Sequence, residues 1–236
     1  MAGHSKFANI KHRKGAQDKK KSKNITKCIR LITIAAKLGG DPALNPKLKF
    51  AIDEARYNFV PKDKIENAIK RVIEGHNDDA HLVSVRYNAN YSGIAFIIEA
   101  LTDNKNRTAG DVRAILTKNG ANMVETGSVE FMFDHIGLIT YKKNQCAEEK
   151  MFEIALEAGA QNIESDDDYY YIETLDTELH KVSVQMLKTL PDQTSCEIIW
   201  QAKDNMTVDE EKQKKIEKIV DLLEDHDDIE KVFVNI

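Results

Sequence analysis

Apolar residues recur at helical spacing in three blocks over the first third of the chain. Ile25, Cys28, Ile29, Ile32 and Ala36 form the first, and Gly39-Gly40 stops it. Leu48, Ala51, Ile52, Ala55 and Phe59 form the second. Pro61 restarts the pattern, and Ile65, Ala68, Ile69 and Val72 form the third. Asp41-Pro42 and Asn45-Pro46 each join a capping residue to a proline, which the first helical turn tolerates. These periods predict a small helical bundle.

Beyond Gly75 the character changes. His76 to His81 reads as a polar linker. Residues 82–87 and 93–100 are strand-like, joined by a turn over Asn88–Gly93. A helix over 107–118 ends at Asn119-Gly120, and 127–133 alternates like a strand. Next come a strand at 137–142, a helix at 147–158, and strands at 160–164 and 169–174. A helix at 177–189 and a strand at 195–202 close the set. This order, β-α-β-β-α-β, is the ferredoxin-like pattern. A helix at 208–224 and a strand at 229–235 are left over, and they complete the earlier β-β-α-β. The predicted fold class is α+β with three domains. Residues 1–76 carry a basic arm and the helical domain. Residues 77–134 plus 204–236 form an α/β domain, and 135–203 form a ferredoxin-like domain inserted into it.

Charge sharpens this division. The 236 residues carry a net charge of −5. Yet the first 30 hold Lys6, Lys11, Arg13, Lys14, Lys19, Lys20, Lys21, Lys23, Lys27 and Arg30 against a single acid, Asp18. Residues 1–71 contain 18 Lys and Arg against 6 Asp and Glu; the remainder contains 16 against 33. A basic arm on an acidic body is the footprint of a polyanion binder. Each cation that displaces a condensed counterion adds salt-sensitive affinity. His12 sits among these cations and could contact or stack on bases, so it joins them as a candidate nucleic-acid contact. Phe7 and Ile10 interrupt the arm. A lone aromatic is a poor stacking platform, so docking on the bundle is the preferred reading for both.

Other chemistry finds little support. No run approaches the roughly 18 apolar residues of a membrane span, and the start lacks an apolar signal core. Cys28, Cys146 and Cys196 are odd in number and far apart, which fits a reducing cytoplasm. His76, Asp78, Asp79 and His81 lack metal-site spacing, and Asp166-Asp167-Asp168 reads as a turn. Val129, Phe131 and Phe133 alternate as the aromatics of an RNA-recognition sheet do, but without the accompanying Gly and basic residue. A packed core is the preferred reading. Thr102–Thr108 precedes a helix, where Asn106 or Thr108 can cap; Lys105 and Arg107 there could alternatively flank a phosphate. Glu125-Thr126-Gly127-Ser128 is no nucleophile elbow, and no phosphate or dinucleotide loop is present. The expectation is a protein that is not an enzyme and needs no cofactor or metal.

Several stretches carry a resemblance. Met1–Lys6, Ala8–Lys14, Leu101–Thr108, Thr117–Gly120, Glu125–Val129, Leu222–Asp225 and Val232–Asn235 resemble the YebC/PmpR family along essentially the whole chain. That family includes bacterial transcriptional regulators and a mitochondrial translational activator of cytochrome c oxidase subunit I. The resemblance implies one helical and two α/β domains in a crescent, a cytosolic location, and no enzymatic activity. It also implies DNA binding for some members and work on the ribosome for others. Two departures stand out. Phe7 replaces the usual Trp, and Asn88–Gly93 replaces a Gly-Pro-Gly-Gly-type loop, leaving one glycine. The expected function is a cytoplasmic, DNA-binding transcriptional regulator. The alternative is a ribosome-associated translation factor on ribosomal or transfer RNA. In either case the acidic domains could meet a protein partner.

Overall fold

The computed structural model describes residues 21–57, 59–74 and 82–236. The described residues divide into two compact units. One runs to Thr126 and includes Thr207–Val232; the other comprises Gly127–Met206 and Phe233–Ile236.

The first unit opens with helices α1 (Lys21–Lys37), α2 (Pro46–Tyr57) and α3 (Lys62–Ile73). Their apolar stripes meet in one core of Cys28, Ile32, Ala36, Leu48, Ala51, Ile52, Ala55, Ile65 and Ala68. Burial lifts the Cys28 thiol to about 12, with Glu54 and Glu230 adding to the effect, so it stays protonated and packs as a small apolar group. Asn45 caps α2. Its Oδ1 accepts from Leu48 N at 3.1 Å, while its Nδ2 donates to the carbonyls of Ala35 and Gly39 at 2.7 Å each. Asp41-Pro42 starts no helix. It forms a turn in which Asp41 Oδ1 accepts from Ala43 N at 2.8 Å.

The same unit carries a four-stranded sheet in the order β3-β1-β2-β8. Its strands are β1 (Val83–Tyr91), β2 (Ile94–Thr102), β3 (Asn122–Val124) and β8 (Ile229–Val234), which belongs to this unit as far as Val232. Helix α4 (Lys105–Lys118) packs against β1, β3 and helix α7 (Glu210–Glu224). The predicted turn over Asn88–Gly93 is mostly strand. Asn88, Ala89, Asn90 and Tyr91 pair with β2, and Asn88 also pairs with Val124 of β3. Only Ser92 and Gly93 turn, at φ 51° and 89°, the left-handed pair that a two-residue hairpin demands. Lys212 Nζ on α7 donates to the Ser92 carbonyl at 2.8 Å and pins the hairpin tip.

The predicted strand over 127–133 is also corrected. The strand paired to β1 is Asn122–Val124, and Glu130–Met132 is a turn of 3-10 helix. Val129 and Phe133 are buried, whereas Phe131 is 72% exposed, so the three do not share a strand face.

The second unit holds β4 (Phe133–Lys142), α5 (Glu148–Ala158), β5 (Asn162–Ser165), β6 (Tyr169–Leu175), α6 (Leu179–Leu187) and β7 (Ser195–Ala202). Its antiparallel sheet has the order β5-β6-β4-β7. Ile139, Tyr141, Ile163 and Ile172 meet Met151, Ile154, Val182 and Met186 of the two helices on one face. Gly137 is required at its position, because a Cβ there would lie 2.7 Å from Leu179 Cβ and 2.3 Å from Thr174 Oγ1. Asp166 folds the β5-β6 turn, its Oδ1 accepting from the Asp168 and Tyr169 amides at 2.8 Å. Connectivity links the two sheets: the chain leaves the first after β3, builds the second, and returns with α7 and β8.

Candidate nucleic-acid interface

Lys6, Lys11, His12, Arg13, Lys14, Lys19 and Lys20 lie outside the described residues, as do Phe7 and Ile10. So does the linker bearing His76 and His81. Lys21 and Lys23 are in the first turn of α1. The two remaining candidates, Lys27 and Arg30, are turned into the unit.

Their target is the bend between α7 and β8. Lys27 Nζ donates to the carbonyls of Glu224 and Ile229. Arg30 NH1 donates to the Asp227 carbonyl at 2.9 Å and to Asp228 Oδ1 at 3.3 Å. A helix that ends leaves carbonyls without intrahelical partners, and a cation there also meets the negative end of the helix dipole. Lys27 and Arg30 therefore join the bundle to the sheet.

Asp228 is the centre of this junction. Its side chain is 5% exposed. Oδ2 accepts from Thr108 Oγ1 at 2.8 Å, Arg107 NH2 at 3.1 Å and Thr102 Oγ1 at 3.2 Å. Burial raises the cost of its charge, but the Thr108, Arg107 and Thr102 hydrogen bonds outweigh burial. The carboxyl is held below the usual carboxylate range. Arg107 also pairs with Asp103 at 2.6 Å.

This arrangement corrects the reading of Thr102–Thr108. The cap of α4 is Asn104, whose Oδ1 accepts from Arg107 N at 3.1 Å; neither Asn106 nor Thr108 caps it. Arg107, considered only as an alternative phosphate contact beside the capping reading, meets the chain's own carboxylate. The Thr-x₅-Thr spacing was visible in sequence, but its partner stands 120 residues away, and no local signal points to it.

Glu230 lies two residues beyond Asp228. Burial pushes its carboxyl up to about 7. Lys27, Lys231 and Arg30 work in the other direction, and Glu54 adds to the rise. Its Oε1 is shut off from water without a hydrogen-bond partner.

Elsewhere on the bundle, exposed cations sit beside acids of their own helices. Arg56 pairs with Asp53 at 3.2 Å, Lys62 with Glu66 at 3.5 Å, and Lys70 with Glu74 at 3.6 Å. Exposed pairs of this kind contribute little stability. Among the described residues no cluster of three or more His, Cys, Asp or Glu could hold a metal, and no helix is long and apolar enough to cross a membrane.

Residues 5–75 match the family model described as the TACO1/YebC protein N-terminal domain, and residues 82–236 match that of the TACO1/YebC second and third domain. The chain belongs to the TACO1/YebC family. A crystal structure of a conserved hypothetical protein from Aquifex aeolicus is similar to it over 93% of this chain and 91% of that one, with 32% identity and a TM-score of 0.82. The TACO1/YebC match spans both the bundle and the two sheets, in agreement with the resemblance seen in the sequence motifs.

Proposed function

We propose that this protein is a cytoplasmic, nucleic-acid-binding regulator of gene expression, that DNA is its polymer, and that it acts by binding rather than by catalysis. One observation carries the reading: ten cations against one acid in the first 30 residues of a chain whose net charge is −5. Family membership supports a regulatory role. On this reading Lys6, Lys11, Arg13, Lys14, Lys19, Lys20, Lys21 and Lys23 meet phosphates, and His12 meets a base. Lys27 and Arg30 hold the bundle to the sheet. The chain works as three domains, with the bundle at residues 1–76. The β-α-β-β-α-β domain at 135–203 is inserted into the α/β domain of 77–134 and 204–236.

A second reading places the arm on ribosomal or transfer RNA. It draws support from the distribution of charge. Arg56, Lys62 and Lys70 sit against acids of their own helices, and Lys27 and Arg30 face inward. An arm that grips by phosphate contacts positions a polymer without reading its sequence, and this suits a structured RNA as well as DNA.

Crosslinking in cells followed by sequencing of the bound nucleic acid separates the two. Enrichment of promoter DNA is expected. Enrichment of ribosomal RNA with co-sedimentation on ribosomes would overturn the DNA reading. Replacing Lys19, Lys20, Lys21 and Lys23 by Gln is expected to flatten the salt dependence of binding by up to about 0.9 per lost duplex phosphate contact. An unchanged slope would remove the arm from the interface.

A further inference from the structure

Helix α5 of the second unit leaves apolar side chains in water. Its inward side is made by Met151, Ile154, Ala155 and Ala158, all buried. Phe152 and Leu156 stand off that side, 38% and 64% exposed. A surface helix ordinarily puts polar residues there. The i, i+4 spacing stacks the two side chains into one stripe along the helix instead of scattering them.

Charge decides what can lie on the stripe. Glu149 and Glu153 come three positions before Phe152 and Leu156, so each borders one of them, and Glu157 continues the row. All three glutamates are exposed. Glu153 pairs with Lys150 at 3.0 Å. On α6, Lys181 is taken up by Glu178 at 2.6 Å. Residues 135–203 as a whole hold 6 Lys, no Arg and 13 Asp and Glu. A field of that sign repels nucleic acid, an anionic membrane and the same face of a second copy, and it draws in a cation-rich protein surface. An apolar stripe with acids along its side is the counterpart of an amphipathic helix whose apolar residues recur three and four apart between Lys and Arg. We infer that α5 is a docking surface for a basic amphipathic helix of a partner protein, which seats its apolar residues on Phe152 and Leu156 and its cations on Glu149, Glu153 and Glu157. This surface owes nothing to the basic arm, so it stands whichever polymer the arm meets.

The test titrates the full chain with a short fluorescein-labelled peptide that carries Leu three and four positions apart and Lys elsewhere, read by anisotropy across a salt series. A second peptide keeps the Leu and replaces Lys by Glu. The Lys peptide is expected to bind and the Glu peptide to remain free. Leu156→Gln should weaken binding at least about 5-fold, because a leucine is no longer taken out of water, and should leave the salt dependence as it was. Leu156 is exposed, so the Tm of this variant should stay near native. Combining Glu149→Gln, Glu153→Gln and Glu157→Gln should weaken binding and flatten its salt dependence. Combining Glu210→Gln, Glu217→Gln and Asp221→Asn on α7 removes the same charge and should leave both nearly as they were. No binding of the Lys peptide, equal binding of both peptides, full affinity in Leu156→Gln, or an equal loss from the α7 variant would overturn the inference. So would sedimentation in which the native chain self-associates and Leu156→Gln does not, since the occupant would then be a second copy.

Discussion

Replacing Asp228 by Asn tests whether the junction between bundle and sheet rests on a buried carboxylate. The substitution keeps the shape but removes the charge, and it turns one acceptor into a donor facing a guanidinium group, that of Arg30 or that of Arg107. Four donors converge on the native side chain: Thr102, Thr108 and Arg107 on Oδ2, and Arg30 on Oδ1. A hydrogen bond to a charged group contributes about 1.5–3 kcal/mol. Arg107 is 51% exposed, so water screens much of its share; the buried threonine bonds carry most of the effect. A net loss of roughly 2–3 kcal/mol is expected, because Asn retains one acceptor. For a protein of this size that corresponds to a fall in Tm of roughly 4–12 °C.

The pH dependence gives an independent check. The native carboxyl titrates below its ordinary value, so its contribution is fully present above the unfolded pKa of about 3.9 and is lost as pH falls through the folded one. Calorimetry of both proteins across pH should therefore show a gap that is constant at neutral pH and narrows below about pH 4. A variant within about 0.5 kcal/mol of native at pH 7, or a gap that persists into acid, would refute the reasoning.

Glu230 should behave in the opposite sense. Its folded pKa is raised to about 7, so stability falls as pH rises from the unfolded value toward 7. Glu230→Gln is expected to raise Tm at about pH 8 and leave it near native at about pH 4, and equal Tm differences at both would count against a buried, ionising Glu230. Asn45→Ala removes a helix cap together with bonds to the Ala35 and Gly39 carbonyls, the first of them buried, and should lower the urea-derived stability by about 2–3 kcal/mol. Gly137→Ala forces a Cβ against Leu179 and Thr174, and about 1–3 kcal/mol of destabilisation is expected by the same measurement.

The bundle was legible because a helix that buries one side must repeat its apolar residues every three to four positions, as Cys28, Ile32, Ala36 and Leu48, Ile52, Ala55 do. Asn88–Gly93 misled because Asn, Ser and Gly favour turns in isolation. In the structure Asn88 is held between Ile97 and Val124 on two partner strands, and backbone pairing on both sides overrides local preference. At Val129, Phe131 and Phe133 an alternating pattern arose before the strand begins at Phe133, since a turn of 3-10 helix can also bury the residues that flank an exposed one. The candidate site divides the same way. The basic arm was a matter of counting, and the family motifs were local strings. That Lys27 and Arg30 face the protein depends on Glu224 and Ile229 for the first and Asp227 and Asp228 for the second, about 200 residues away in the chain.

By itself the sequence determined the helices, most of the strands, the order that returns α7 and β8 to the first sheet, the polarity of charge and the family. Each of these is set by neighbours a few residues apart or by composition. Only the tertiary structure decided which cations serve the fold and that Asp228 stands where a phosphate was considered. Those facts depend on groups brought together across the chain.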